Sequence, residues 1–365
     1  MRITNIKTSR NTLKLKQPFI TALRYVDVVE SVIVNVETDD GLVGWGEAVP
    51  TGVITGDTTE SIISAINNYI SPAVLRHNIL EEFDIVMHKL HASIHNNTSA
   101  KAAVDMALYD LLAQSLNLPL YRLLGGTRSA VKTDITISLN NIQQMITDSL
   151  EALRQGFSIL KIKVGKEGLR DAVTVAEIRK AVGNSVELRV DANQGWSAKE
   201  AVRNIRAMED YDISMVEQPV KAEDIDGLRY VTKNVCTPIL ADESVFSPRD
   251  AVEIITTGAA DMINLKLMKT GGIYQTLKIC GLAETYDVKC MMGCMMESKL
   301  SVAAAAHLAC AKRVITMVDL DAPFLCAEDN YEPSDFSPQF KDSDIIMGPG
   351  AGIGVKLANK KEETI

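Results

Sequence analysis

Charged residues that close apolar, strand-like segments recur at nearly even intervals through the second half of the chain. They are Lys161 and Lys163 in SILKIKVG, Asp191 in VELRVDAN, Glu217 in SMVEQP, Asp242 in PILADES and Lys266 in DMINLKLMKTGG. Asp319 and Asp321 in VITMVDLDAPF follow two intervals later. The steps are about 24 to 28 residues, the length of a strand plus a returning helix, so the chain reads as repeated β/α units. In a closed parallel barrel the strand C-termini meet at one mouth, where these side chains would converge. Asp191, Glu217 and Asp242 on successive strands would repel one another unless a cation lay among them. All-oxygen ligation suits Mg²⁺, with Mn²⁺ as the alternative.

Strand side chains alternate, so Lys161 and Lys163 share one direction while Leu160, Ile162 and Val164 take the other. The apolar set should face helices, leaving both lysines inside the barrel. Two ammonium groups that close repel, which lowers the pKa of at least one and makes it a usable base. Lys266, two positions beyond Asn264, is expected across the mouth. A metal between opposed lysines binds a substrate carboxylate and stabilises the enediolate formed when the α-proton leaves. One lysine takes that proton and the other returns it to the opposite face. Taken singly, each acid also reads as a helix N-cap or surface charge, and a lone K-x-K as a solvated edge strand. The shared spacing and apolar flanks favour the site.

These residues need a scaffold. A barrel would begin at KTDITISL (132–139), with later strands near 159–164, 186–191, 213–217, 238–242, 262–266, 288–293 and 314–319. Amphipathic stretches such as LRDAVTVAEIRKAVG and SAKEAVRNIRAMED supply the outer helices. The first third lacks this rhythm. Short strands are expected at 2–9, 28–37 and 43–48, the last two joined by the hairpin turn at Asp40-Gly41, with helices at about 58–70, 80–93 and 99–116. That order indicates an α+β domain. Domains are expected at 1–126 (capping), 127–321 (barrel) and 322–365, a segment running back over both with one or two short strands.

The 365 residues suit a barrel plus a smaller domain, and the 46% hydrophobic content suits a globular protein. A net charge of −9 argues against a nucleic-acid partner. The N-terminus lacks the apolar core of a signal peptide, and LSVAAAAHLACA is too short to span a bilayer, so a cytoplasmic protein without a membrane partner is expected. Six cysteines without a C-x-x-C pair read as reduced, mostly buried thiols.

The ordered motifs LKIKVG, RVDANQGW, VEQP, ADES and NLKLMKTGG, preceded by AAVDMALYDLLAQSLNLPLYRLLGG, resemble the enolase superfamily in its muconate-lactonizing-enzyme subgroup. The resemblance implies a modified TIM barrel, (β/α)₇β, under an N-terminal α+β capping domain. It also implies an essential Mg²⁺, acid/base lysines at Lys163 and Lys266, and Lys161 near the substrate carboxylate. The seventh-strand segment VKCMMGCMME has no histidine, unlike subgroups whose base is a histidine there.

Further features resemble the L-Ala-D/L-Glu (dipeptide) epimerases. Asp319 and Asp321 fall on one side of their strand and suit a substrate α-ammonium group. The segments QPFITALRYVDVVES and TGVITGDT are where family members close over substrate, and Arg24 in the first suits a glutamyl carboxylate. Thr136 and Lys299 are further candidate substrate contacts, and Asn193 and Glu243 candidate supports behind the site. The expected reaction is Mg²⁺-dependent epimerisation of a small dipeptide at the α-carbon of its C-terminal residue, by an enzyme expected to be a homo-oligomer. The alternatives are N-acylamino-acid racemase, o-succinylbenzoate synthase or muconate cycloisomerase, whose substrates lack a free ammonium, and a non-catalytic scaffold.

Three patterns are set aside. His88, His91 and His95 read as a polar helix face without an acidic partner set. GPGAGIGV (348–355) reads as close-packed backbone, since no strand leads into it. Met291, Met292, Met295 and Met296 read as barrel core or pocket lining.

Overall fold

A computed structural model describes residues 1–328, 331, 332 and 334–356. The strands are β1 (Ile3–Ile20), β2 (Tyr25–Thr38), β3 (Val43–Ala48), β4 (Ala130–Lys132), β5 (Ile135–Ile137), β6 (Ile159–Lys163), β7 (Glu187–Asp191), β8 (Ile213–Glu217), β9 (Ile239–Ala241), β10 (Met262–Leu265), β11 (Lys289–Gly293), β12 (Ile315–Asp319), β13 (Gln339–Lys341) and β14 (Asp344–Ile346). Strands β5 to β12 form one eight-stranded parallel sheet in sequential order. Its ends meet through Asp134 N–H to Val318 O (3.4 Å) and Leu320 N–H to Thr133 Oγ1 (2.8 Å), which nearly close a barrel.

Alternation along these strands decides which residues see the interior. Leu160, Ile162, Leu188, Val190, Val216, Ile239, Ile263 and Leu265 join the large apolar core shared with the surrounding helices. The opposite set builds layers inside the barrel. Met215, Leu240, Met262 and Met291 pack together with Met317 as an apolar floor. Two positions further along their strands Glu217, Asp242 and Asp319 then lie above it, at the C-terminal mouth, with Lys266 four positions beyond Met262.

Local signals set the helix ends. Ser197 and Glu200 form a capping box at the start of Ala198–Met208. Pro248–Thr257 has Ser247 as N-cap and proline at its start, and ends on Gly258 in the left-handed conformation.

The N-terminal region is the antiparallel sheet β1-β2-β3 with helices against it. Strand β1 is far longer than the expected 2–9, running 18 residues, with a register shift between Lys14 and Phe19. Its polar outer face hid the strand from a search for apolar alternation. The helix Thr98–Ser115 packs directly on β3 because Gly44 and Gly46 leave room for it. A Cβ at either glycine would stand 2.1 Å from Ala107 O or 1.9 Å from Ala103 O. The helix expected at 58–70 is α-helical at Thr59–Ala65 and a π-turn at Ile66–Ile70.

Beyond β12, β13 and β14 add to β4 beneath the barrel. Ile353 N–H donates to Asp110 Oδ1 (2.7 Å) and Thr133 N–H to Ser343 O (2.8 Å), so the described part of this segment touches both N-terminal region and barrel. The parts of the expected 322–365 segment at 329, 330, 333 and 357–365 lie outside the described residues. GPGAGIGV is close-packed: a Cβ at Gly352 would stand 2.0 Å from Asp110 Oδ1.

The histidine reading needs a correction. His91 does have an acidic partner, with Nε2 3.4 Å from Asp105 Oδ2, and His88 Nε2 stands 3.6 Å from Asp84 Oδ2. The His88 pair is one turn apart on a single helix and the His91 pair joins two packed helices, so they are separate pairs and not one ligand set. Cys280, Cys290, Cys310 and Cys326 are buried, Cys294 is half-buried and Cys236 is exposed. Among the described residues no helix is long and apolar enough to cross a membrane.

Candidate active site

A cavity opens at the C-terminal mouth of the barrel. Phe19, Leu23, Arg24 and Ile54 line it from the N-terminal region, and Thr136, Lys161, Lys163, Lys266, Asp319 and Asp321 from the barrel. The two loops named from sequence therefore both reach it. The lysines of β6 and Lys266, just after β10, belong to the second and sixth strands of eight, on opposite sides of the ring.

Asp191, Glu217 and Asp242 lie between them on adjacent strands and are buried. In register, Lys163 pairs with Asp191 and Asp191 with Glu217. Lys163 Nζ donates to Asp191 Oδ2 (2.6 Å) and Lys266 Nζ to Asp242 Oδ2 (2.7 Å). Lys161 Nζ is shared among Asp319 Oδ2 (2.6 Å), Glu217 Oε2 (2.7 Å) and Asp191 Oδ2 (3.1 Å).

That sharing fixes the charge on Lys161. Burial would lower its pKa, but Asp319, Glu217 and Asp191 outweigh burial and hold it well above the ordinary range. Burial likewise opposes the charge on Lys266, yet Asp242 and Glu217 raise its pKa, so Nζ keeps its proton.

The three carboxylates also repel one another. Burial, then Asp191 and Asp242, push the Glu217 carboxyl up to about 8, only partly relieved by Lys161. Glu217 Oε2 and Asp242 Oδ1 are buried oxygens without an aligned hydrogen bond, although Lys161 and Lys269 stand at ion-pair distance, 2.7 Å each. Unsatisfied buried carboxylate oxygens on neighbouring strands are the donor set a hard divalent cation requires.

Asn193 and Glu243 stand behind these acids. Asn193 N–H donates to Asp191 Oδ1 (2.8 Å) and its Nδ2 to Glu243 Oε1 (3.4 Å). Burial, then Asp242, raise Glu243 to about 7. Burial lowers the Arg24 pKa, and the Glu243 charge offsets part of that. Thr136 N–H donates to Asp321 Oδ2 (2.6 Å), tying the first strand to the residue just past the last.

Lys299 is not brought to this cavity. It opens the helix Lys299–Ala311 and its Nζ stands 5.4 Å from the centroid of the Phe340 ring, lining two neighbouring depressions instead. The helix start turns its side chain toward the returning C-terminal segment.

Sequence reasoning missed several participants. Lys269 is fully buried, 2.7 Å from Asp242 Oδ1, and donates to Asp242 O and to Asn264 O (3.0 Å). Asn264 Nδ2 donates to Glu217 Oε1 (2.8 Å). Both stand in NLKLMKTGG, so the signal was available. Arg189 and Asp134, two residues before Asp191 and Thr136, form a buried pair at 2.9 Å, and alternation alone would have turned them inward.

Family models match most of the chain. Residues 3–125 match the mandelate racemase / muconate lactonizing enzyme N-terminal domain, and 144–361 the enolase C-terminal domain-like family. An L-Ala-D/L-Glu epimerase from Clostridium acetobutylicum is 50% identical, over 98% of this chain and 100% of its own length. A substrate-liganded L-Ala-D/L-Glu epimerase from Bacillus subtilis superposes with a TM-score of 0.96 at 49% identity, covering 99% of this chain and 100% of that one. An Enterococcus faecalis dipeptide epimerase complexed with Mg and L-Leu-L-Tyr gives 0.93 at 41% identity, covering 98% and 100%.

Proposed function

The chain belongs to the mandelate racemase / muconate lactonizing enzyme family of the enolase superfamily, and we propose that its cavity epimerises a small dipeptide at the α-carbon of the C-terminal residue, with L-Ala-D/L-Glu as the substrate pair. It is an isomerase, a Mg²⁺-dependent dipeptide epimerase. The observation that carries the reading is one cavity lined by lysines from opposite sides of the barrel, an aspartate pair and an arginine.

In this reading Asp191, Glu217 and Asp242 hold Mg²⁺, with Asn193 and Glu243 supporting them. Bound there, the ion supplies positive charge to the substrate carboxylate, which acidifies the neighbouring α-hydrogen. Lys163 faces one side of that carbon and Lys266 the other. For one epimer Lys163 takes the α-proton at Nζ while Lys266, already protonated, gives one from the opposite face. For the other epimer the roles exchange. Lys161 lies beside the substrate carboxylate. Asp319 and Asp321 receive the α-ammonium, Arg24 the glutamyl carboxylate, and Thr136 lines the same end. Phe19, Leu23 and Ile54 keep water from the reacting carbon.

Residues 1–126 serve as the cap that completes the cavity, 127–321 as the catalytic barrel and 322–365 as the strap across both. The enzyme works in the cytoplasm as a homo-oligomer, which light scattering on the purified protein would check.

L-Ala-D-Glu incubated with enzyme and Mg²⁺ in D₂O should gain α-deuterium and yield the diastereomer. No exchange and no diastereomer would sink the assignment. Lys163→Ala and Lys266→Ala should each lower epimerisation about 10²–10⁴-fold, while leaving exchange from one epimer in preference to the other.

A further inference from the structure

A second group of buried acids lies at the barrel seam, distinct from Asp191, Glu217 and Asp242. Asp134, Asp319 and Asp321 each bring a carboxylate oxygen within 4.8 Å of the other two. All three are buried. Two protein cations answer them: Arg189 Nη1, 2.9 Å from Asp134 Oδ2, and Lys161 Nζ, 2.6 Å from Asp319 Oδ2. Lys161 is moreover shared with Asp191 and Glu217. The Thr136 N–H adds a neutral donor to Asp321 Oδ2. Asp134 is fully buried, and its second oxygen, Oδ1, has no hydrogen-bond partner. Three acids against two cations leave one acid uncompensated: burial, then Asp319, raise Asp134 well above the ordinary carboxylate range, so without an ion it keeps a proton, and a bound cation of charge one takes that proton's place at the unsatisfied buried oxygen.

We propose that Asp134, Asp319 and Asp321 form a binding site for a monovalent cation of potassium or ammonium size, filled when no dipeptide is bound. The residual charge of one selects the valence, because a divalent ion would stand against Arg189 and Lys161 with charge to spare. Carboxylate oxygens are hard donors, suited to hard cations, and the charge of one then favours an alkali ion. Asp319 and Asp321 also line the catalytic cavity, which gives the ion its way in and out. The inference rests on the reading that Asp319 and Asp321 receive the dipeptide ammonium, since ion and ammonium then compete for the same oxygens.

The test compares K⁺ with tetramethylammonium, which is too large for the site, at fixed ionic strength and saturating Mg²⁺. With a Kd on the order of 50 mM, the KM for L-Ala-L-Glu should rise about five-fold between zero and 200 mM K⁺, with kcat unchanged. Crystals of the Mg²⁺-loaded, dipeptide-free enzyme soaked in Tl⁺ should show an anomalous peak bounded by the three acids. Absence of that peak overturns the site, whatever the kinetics do. A peak with a KM indifferent to K⁺ keeps the cation site and instead removes Asp319 and Asp321 as the ammonium subsite.

Discussion

The barrel mouth holds two groups of buried acids that differ in how they are built. Asp191, Glu217 and Asp242 sit on three adjacent strands, each in the same place in its β/α unit, with lysines on both flanks. Asp134, Asp319 and Asp321 sit where the first strand meets the last, with Arg189 beneath and Lys161 reaching across from the other group. Both are acid-rich, yet their surroundings differ. The first has four lysines against three acids, whereas the second has three acids against Arg189 and a shared Lys161. Repetition built the first group and closure of the sheet built the second.

The sharpest way to break this division is to remove one acid from each group. Glu217→Gln should weaken Mg²⁺ binding at least about ten-fold by calorimetry. Asp321→Asn should leave the Mg²⁺ Kd near its wild-type value and lower kcat/KM for the dipeptide about 10–100-fold, the loss expected for one charge-assisted hydrogen bond. Equal effects on Mg²⁺ from both variants would merge the two groups into one.

pH separates metal-free from metal-loaded protein. Burial first, then neighbouring acids, raise Glu217 to about 8 and Glu243 to about 7. Between roughly pH 4.5 and 8 the folded metal-free protein therefore keeps protons that the unfolded chain has released. Their stabilising contribution is complete below that window and disappears as pH rises through it. The Tm of metal-free enzyme should fall by roughly 5 °C from pH 5 to pH 8. Mg²⁺ should raise Tm more at pH 8 than at pH 5, because its ligands must be deprotonated. A Tm of metal-free protein that climbs across this range would contradict the acid-rich picture.

The smallest effect concerns the residue outside both groups. Lys299→Ala should leave kcat/KM within about two-fold of wild type, as expected of a side chain far from the reacting atoms. A larger loss would bring Lys299 back to the substrate.

Much of the first group was legible in the sequence because a β/α repeat converts spacing into position. A charge closing each strand must point into the mouth once its apolar neighbours point out. The second group was half legible: Asp319 and Asp321 stand in one motif, but Asp134 lies 185 residues before Asp319, and no periodicity links them. Strand β1 escaped notice beyond residue 9 because its exposed face is lysine- and asparagine-rich. The three carboxylates that surround the Lys161 ammonium come from separate strands, so the sequence showed only its lysine neighbour.

The sequence by itself determined the β/α order, the inward direction of each strand-end charge and the residue types available for proton transfer and ion binding. Those are consequences of alternation and repeat length, which act locally along the chain. Only the tertiary structure decided which charges neutralise which. Coulomb energies depend on distance and burial, and both are fixed by sheet closure and by the cap seated on the mouth.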